Sequence, residues 1–288
     1  MHRQRVLSGI RAIAEQYDGY VFDVWGTVYD GEQVFPGVIE ALHALRHLGK
    51  KIAFLSNSPQ LPSVVATRLA GIGIDGACYD GIVTSGGETN SQLSAISNPA
   101  MERFTGRVYQ TGPDRFPDTL PRNTFQEVAR IEEADWILNA GPNFPSETLA
   151  DYDERLRIGA ARGLPMLCAN PDRTVFQGVD RHICAGALAE YYATLGGHVY
   201  PIGKPFQAVF DRCREILNMT NSKRLLMIGD NLETDILGAN RAGFAALLIA
   251  SGIHELADAS GAVDTPQLNS LEEQLGAKAD YILATLVA

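Results

Sequence analysis

Asp23 in FDVWGT, Ser56-Asn57 in FLSNSP, Lys204 in IGKP, and Asp230 with Asp235 in IGDNLETD each stand where an apolar run ends. Singly these residues say little. An aspartate after a strand often caps a helix, Ser-Asn often makes a turn, and a lone lysine is usually a solvated charge. Together they supply a carboxylate nucleophile, hydroxyl and amide donors, a cation and two metal-seeking acids. Phosphoryl transfer needs that set, because the nucleophile must meet phosphorus in line while the equatorial oxygens are neutralised. An aspartate can take the phosphoryl group as an acyl phosphate that water then cleaves. Mg²⁺ favours a few carboxylates plus water and substrate oxygens, which suits Asp23, Asp230 and Asp235. Lys204 would hold nucleophile and phosphate together as a point charge.

Strand ends must present these groups, and the sequence alternates accordingly. A helical pattern at Val6–Gln16 precedes the strand Tyr20–Asp23, a turn-rich stretch, the helix Gly37–Leu48 and the strand KIAFLS. LPSVVATRLAGIG then reads as a helix with a glycine stop, and GIVTSG as another strand and turn. Strand-helix alternation builds a doubly wound parallel sheet with helices on both faces, whose ligands bind beyond the carboxyl ends where strand order reverses. Past Ser85 the character changes. Short strands at RVYQTG and DWILNAG, a polar helix at Ser146–Arg162 and the strand PMLCANPD read as an inserted α/β unit. HVYPIGKPF, RLLMIGDN and FAALLIASG are expected to resume the first sheet. The division is therefore 1–85 with 183–288 for the core and 86–182 for the insertion.

The order D-x-x-G-T, S-N, G-K-P and G-D-N-x-x-T-D resembles the haloacid dehalogenase superfamily of aspartate-nucleophile phosphohydrolases. The insertion, ANPD at 169–172 and GDNLETDILGANRAGF are similar to its class IIA branch of sugar-phosphate, nucleotide and p-nitrophenyl phosphatases. The resemblance spans Gly19 to about Gly252. It implies a Rossmann-like core with an inserted cap that closes over a small phosphorylated metabolite. It implies Asp23 as nucleophile, with Asp230 and the Trp25 backbone carbonyl as Mg²⁺ ligands and Asp235 supporting them. Ser56, with Asn57 beside it, and Lys204 would bind phosphate. Asn170 and Asp172 would face the core site, touching substrate or supporting the hinge, unless they form only an Asx-Pro turn. TSGGE, 84–88, suits the first of two crossings into the cap or else a simple flexible turn, and 111–123 a substrate-selecting cap loop or else an exposed cap edge. Cap-to-cap homodimers are common in the branch, though no interface stripe is legible.

Trp25 breaks the pattern. Phosphatases of the superfamily usually carry there an aspartate that protonates the leaving oxygen and then activates water. Losing a placed acid/base costs ~10²–10⁴-fold, and an indole N–H only donates. The backbone carbonyl survives the change. Three readings stay open. The chain hydrolyses esters slowly, or those with good leaving groups, or recruits Asp30, Glu88 or Asp172 as its acid. It binds a phosphorylated ligand without turnover, as a regulatory protein. Or it performs other aspartate-nucleophile chemistry such as dehalogenation, against which the intact GDNLETD counts.

Bulk properties agree with a cytoplasmic metabolic enzyme. At 288 residues, 45% hydrophobic and 20% charged, the chain is of ordinary globular composition. A net charge of −10 argues against nucleic acid or anionic membrane as main partner. No signal core or run of ~18 apolar residues is present. Cys78, Cys168, Cys184 and Cys213 show no C-x-x-C pairing and are expected as buried thiols. GIGIDG at 71–76 follows a helix rather than a strand, so its dinucleotide-binding pattern is a helix stop. His43 and His47 have zinc-compatible spacing but no third ligand nearby.

Overall fold

Tyr20 and Phe22 face one apolar cluster and Val21 the other, on opposite sides of the strand Gly19–Phe22. The same alternation separates Ile52 and Phe54 from Ala53 and Leu55, and Leu226 and Ile228 from Leu225 and Met227. Strands buried on both faces need helices on both faces, which is the doubly wound arrangement. The computed structural model describes residues 5–95, 99–177 and 180–288. Residues 1–4 of the expected core, and 96–98 and 178–179 of the expected insertion, lie outside these.

Seven parallel strands form the first sheet, in the order Arg5–Val6, Tyr281–Leu283, Ala245–Ile249, Leu225–Gly229, Gly19–Phe22, Lys51–Ser56 and Gly81–Thr84. From Gly19–Phe22 the early chain steps outward one way and the late chain the other. Strand order reverses between Gly19–Phe22 and Leu225–Gly229, so Asp23 and Asp230 emerge side by side at the switch point.

A second sheet of five parallel strands runs Val199–Pro201, Met166–Cys168, Trp136–Asn139, Arg107–Thr111 and Gln126–Glu127. A two-stranded antiparallel ribbon, Thr174–Gln177 with Asp180–Ile183, accompanies it. The strand Val199–Pro201 corrects the expected return to the first sheet at residue 183. It pairs with Met166–Cys168, and the helix Ala185–Thr194 sinks Leu188 and Tyr192 into the second unit's core. A short apolar run declares a strand but not the sheet it joins. The crossing back lies instead in the segment carrying Lys204, after which the helix Gln207–Ile216 packs on the first sheet.

Two local expectations also shift. Val6 lies on a strand, and the helical stretch after it is a 3₁₀ helix, Ile10–Gln16. The TSGGE stretch is no loose turn: Thr84 caps the helix Ser85–Ser94, its hydroxyl accepting from Gly87 N at 2.9 Å. All four cysteines are buried free thiols. Among the described residues no helix is long and apolar enough to cross a membrane.

The loop that follows Ser56 is pinned from behind. Gly86 N donates to Ser58 O at 3.0 Å, and a Cβ on Gly86 would overlap the Pro59 carbonyl, which is backbone and cannot swing away. Gly86→Ala is expected to lower unfolding free energy by about 1–3 kcal/mol, seen as a reduced urea midpoint at unchanged slope. An unchanged midpoint would show that the 57–60 loop yields to the extra methyl.

Candidate active site

Asp23 ends the central strand, its amide donating to Ile228 O at 2.8 Å, so the backbone of the neighbouring strand sets where its carboxyl begins. One carboxylate oxygen from each of Asp23, Asp230 and Asp235 lies within 4.8 Å of the others. All three residues are buried, and among the described residues this is the cluster with metal-ligand spacing. His43 and His47 belong to no such group. Asp230 Oδ2 accepts from Ile253 N at 2.9 Å, and Asp235 Oδ2 from Asn231 N at 3.1 Å. Asp235 is aimed by a π-helical turn, Leu232–Ile236, in which Ile236 N reaches back five residues to Asn231 O. Such widened turns recur at functional sites.

Room for the carboxylates comes from glycine. A Cβ on Gly26, at φ +87°, would stand 2.5 Å from Asp230 Oδ2. One on Gly229 would overlap the Asp235 carboxyl.

Lys204, 2% exposed, donates from Nζ to Asp23 Oδ1 and pairs with Asp235 Oδ1 at 2.6 Å. The second contact lacks hydrogen-bond alignment, and Asp235 Oδ1 has no hydrogen-bond partner. Three carboxylates against one ammonium leave two negative charges in excess. Burial therefore pushes Asp23 well above the usual carboxylate range, with Lys204 opposing and Asp235 and Asp230 adding to the rise. Burial and then the Asp235 charge push Asp230 up to about 7. Burial alone would lower Lys204, but Asp23, Asp235 and Asp172 outweigh it and raise it. An oxygen donor set with excess negative charge and an unsatisfied buried oxygen fits a hard divalent cation.

Ser56 ends the next strand, its Oγ accepting from Ser58 N at 3.1 Å, which leaves the hydroxyl proton to donate. Asn57 behaves differently from a phosphate ligand. Its Oδ1 accepts from Lys204 N at 2.7 Å and Ser85 Oγ at 3.1 Å. Its Nδ2 donates to Asp172 Oδ1 at 2.9 Å and Lys204 O at 3.2 Å. With both amide ends engaged, its side chain rivets the Lys204 loop and the second unit to the first sheet. Asn170 Oδ1 accepts from Asp172 N at 2.9 Å, the expected Asx turn, and both residues line the cavity.

Trp25 is half-buried against Tyr29, with ring centroids 4.9 Å apart, and its ring covers Gly31. Its place is thus a small aromatic cluster of the first unit at the cavity wall. The cavity holds about 1010 Å³ and takes walls from both units. Arg68, which donates to the Tyr29 hydroxyl at 3.2 Å, and Arg115 also line it. Neither was identified from sequence: Arg115 falls in the 111–123 loop, while Arg68 sits on a polar helix face with no signal of its own.

The sequence matches a haloacid dehalogenase-like hydrolase model over residues 20–126 and a HAD-hydrolase-like model over 201–274. A haloacid dehalogenase-like hydrolase from Brucella suis superimposes with a TM-score of 0.81 at 30% identity, covering 99% of this chain and 100% of that one. The sugar-phosphatase AraL of Bacillus subtilis is 27% identical over 81% of this chain and 83% of its own length. Human chronophin is 27% identical over 88% of this chain and 87% of its own.

The charge imbalance has a pH signature. A carboxyl whose folded pKa lies above its unfolded value favours folding only while protonated. In metal-free protein, stability should therefore fall as pH rises from about 4 to about 7, by at most about 4 kcal/mol from Asp230. Thermal melts in chelator should show this slope, and Mg²⁺ should flatten it. A slope unchanged by Mg²⁺ would place no cation among these acids.

Proposed function

Because the chain belongs to the haloacid dehalogenase-like hydrolases, we propose that it is a magnesium-dependent hydrolase of small phosphate monoesters, of sugar-phosphate or nucleotide type, with Asp23 as nucleophile. The carrying observation is the Asp23 carboxylate held by buried Lys204 within ligand distance of Asp230 and Asp235, facing a cavity. The phosphatase names among its relatives support the same reading.

Asp23, Asp230 and the Trp25 backbone carbonyl would hold Mg²⁺, with Asp235 behind them; the bound ion offsets the charge between carboxylate and phosphate. An Asp23 oxygen attacks phosphorus and forms the aspartyl-phosphate. Lys204 keeps that oxygen oriented and adds positive charge beside the phosphoryl oxygens. Ser56 donates its hydroxyl to one of them. Asn57 holds the Lys204 backbone in place. The second unit acts as the cap, excluding water while the phosphoryl group transfers.

Trp25 supplies no proton, so turnover of esters with poor leaving groups is slow unless another residue supplies it. The same feature favours one rival, a protein that binds a phosphorylated ligand without turnover. Wild type with Mg²⁺ is expected to hydrolyse p-nitrophenyl phosphate, and Asp23→Asn to lose at least about 10³-fold. Tight Mg²⁺-dependent phosphate binding with no turnover would favour the rival. Trp25→Asp should raise kcat on an alkyl phosphate by about tenfold or more. No gain in a variant that melts normally would show that a missing acid is not what limits the wild type.

A further inference from the structure

Beyond the three clustered aspartates, the carboxylates lining the cavity among the described residues are Asp30, Asp172 and Glu255. Asp30 is spent on its own turn: Oδ1 accepts from Glu32 N and Gln33 N, each at 2.9 Å. These bonds, Gln33 first, hold it below the usual carboxylate range, so it stays ionised. Glu255 lies exposed in the loop beside Ile253. Glu88 is outside the cavity, paired with Arg212 at 3.5 Å and accepting from Gln92 at 2.8 Å.

Asp172 differs on each count. It follows the strand Met166–Cys168 on the second unit and lines the cavity that Asp23 also lines. Oδ1 accepts from Asn57, and Oδ2 has no partner among the described residues. Asn57 also holds Lys204, whose ammonium touches Asp23, so two side chains link Asp172 to the nucleophile. In-line displacement drives the leaving oxygen away from Asp23, and Asp172 lines the same cavity.

On the functional reading given above, we propose that Asp172 is a further catalytic residue, the general acid that replaces the one absent at position 25. As an Asp23 oxygen bonds to phosphorus, the ester P–O bond breaks and its electron pair stays on the leaving oxygen. That oxygen takes the Asp172 proton and departs as an alcohol. The Asp172 carboxylate then takes a proton from the water attacking the aspartyl-phosphate. The P–O bond to Asp23 breaks, its electrons return to the Asp23 carboxylate, and inorganic phosphate leaves.

The surroundings favour the protonated carboxyl. Burial raises Asp172, Lys204 and the Asn57 amide oppose the rise, and Asp235 and Glu233 add to it. Arg173 beside it is paired to Glu233 and lies 3.8 Å from Glu190. Cys168 and Cys184 face it as thiols that burial raises to about 12.

Asp172→Asn keeps a carbonyl oxygen for Asn57 and removes the titrating proton. The test compares kcat/KM for p-nitrophenyl phosphate, whose leaving group needs no acid, with that for glycerol 2-phosphate, whose leaving group does. The variant should lose about 10²-fold more on the alkyl ester than on the aryl ester. On the alkyl ester, wild-type kcat/KM should fall as pH rises through the Asp172 pKa, and the variant should lack that limb. Trp25→Asp/Asp172→Asn should recover alkyl-ester turnover, which a merely structural defect would not allow. Equal loss on both esters, no loss, a persistent limb, or wild type inactive on the alkyl ester alone would overturn the role of Asp172 while leaving Asp23 chemistry standing. Wild type inactive on both esters, with no phosphate on Asp23, would overturn the functional reading itself.

Discussion

Three carboxylates share a buried corner with one ammonium. Each removal of a charge from water costs several kcal/mol unless a counter-charge and well-placed donors replace the solvent. The two central strands force this arrangement, because their carboxyl ends lie at adjacent register beside the point where strand order reverses. Apolar clusters on both faces of the sheet supply the stability against which the charge cost is set. The fold is thus least relaxed where its chemistry is concentrated, a common trade of stability for a polar site.

From that corner the constraint passes outward through Lys204 and Asn57. The lysine must stay beside Asp23 and Asp235 to limit repulsion, so its loop cannot drift. Asn57 fixes the loop by both its backbone N–H and C=O, and reaches Asp172 with the same amide. Further bonds cross between the units, among them Thr119 Oγ1 donating to Pro59 O at 2.6 Å and Arg173 donating to Glu233 at 2.6 Å. The first is buried and the second exposed, so salt screens only the second appreciably. Position of the second unit is therefore tied to the electrostatics of Asp23 through short polar links.

The carboxylates and Lys204 were legible because each ends an apolar run, and a parallel sheet gathers such ends on one edge. Asn57 was legible as a site residue but not as a rivet. Amide chemistry allows either use, and only the approach of Ser85, Lys204 and Asp172 decides between them. Val199–Pro201 was legible as a strand and misplaced between sheets, since three half-buried residues carry a period but no partner. Arg68 and Arg115 were invisible because a cavity wall made from two units leaves no local pattern in either.

Trp25 shows how one position can be asked for two separable things. Its backbone oxygen belongs to a loop held by Gly26 N to Tyr29 O at 3.0 Å and Val28 N to Val24 O at 2.9 Å, and those bonds are indifferent to the side chain. The side chain can therefore change without moving the carbonyl that, on the proposed reading, would hold the ion. What differs from the aspartate that the resemblance leads one to expect here is the wall of the cavity, which gains an aromatic surface resting on Tyr29 and Gly31. An indole excludes water and gives a flat apolar contact, so the exchange lowers proton supply at this wall while improving its fit to apolar or planar groups. On the proposal made above, the proton comes instead from Asp172 on the second unit, which Asn57 holds at 2.9 Å.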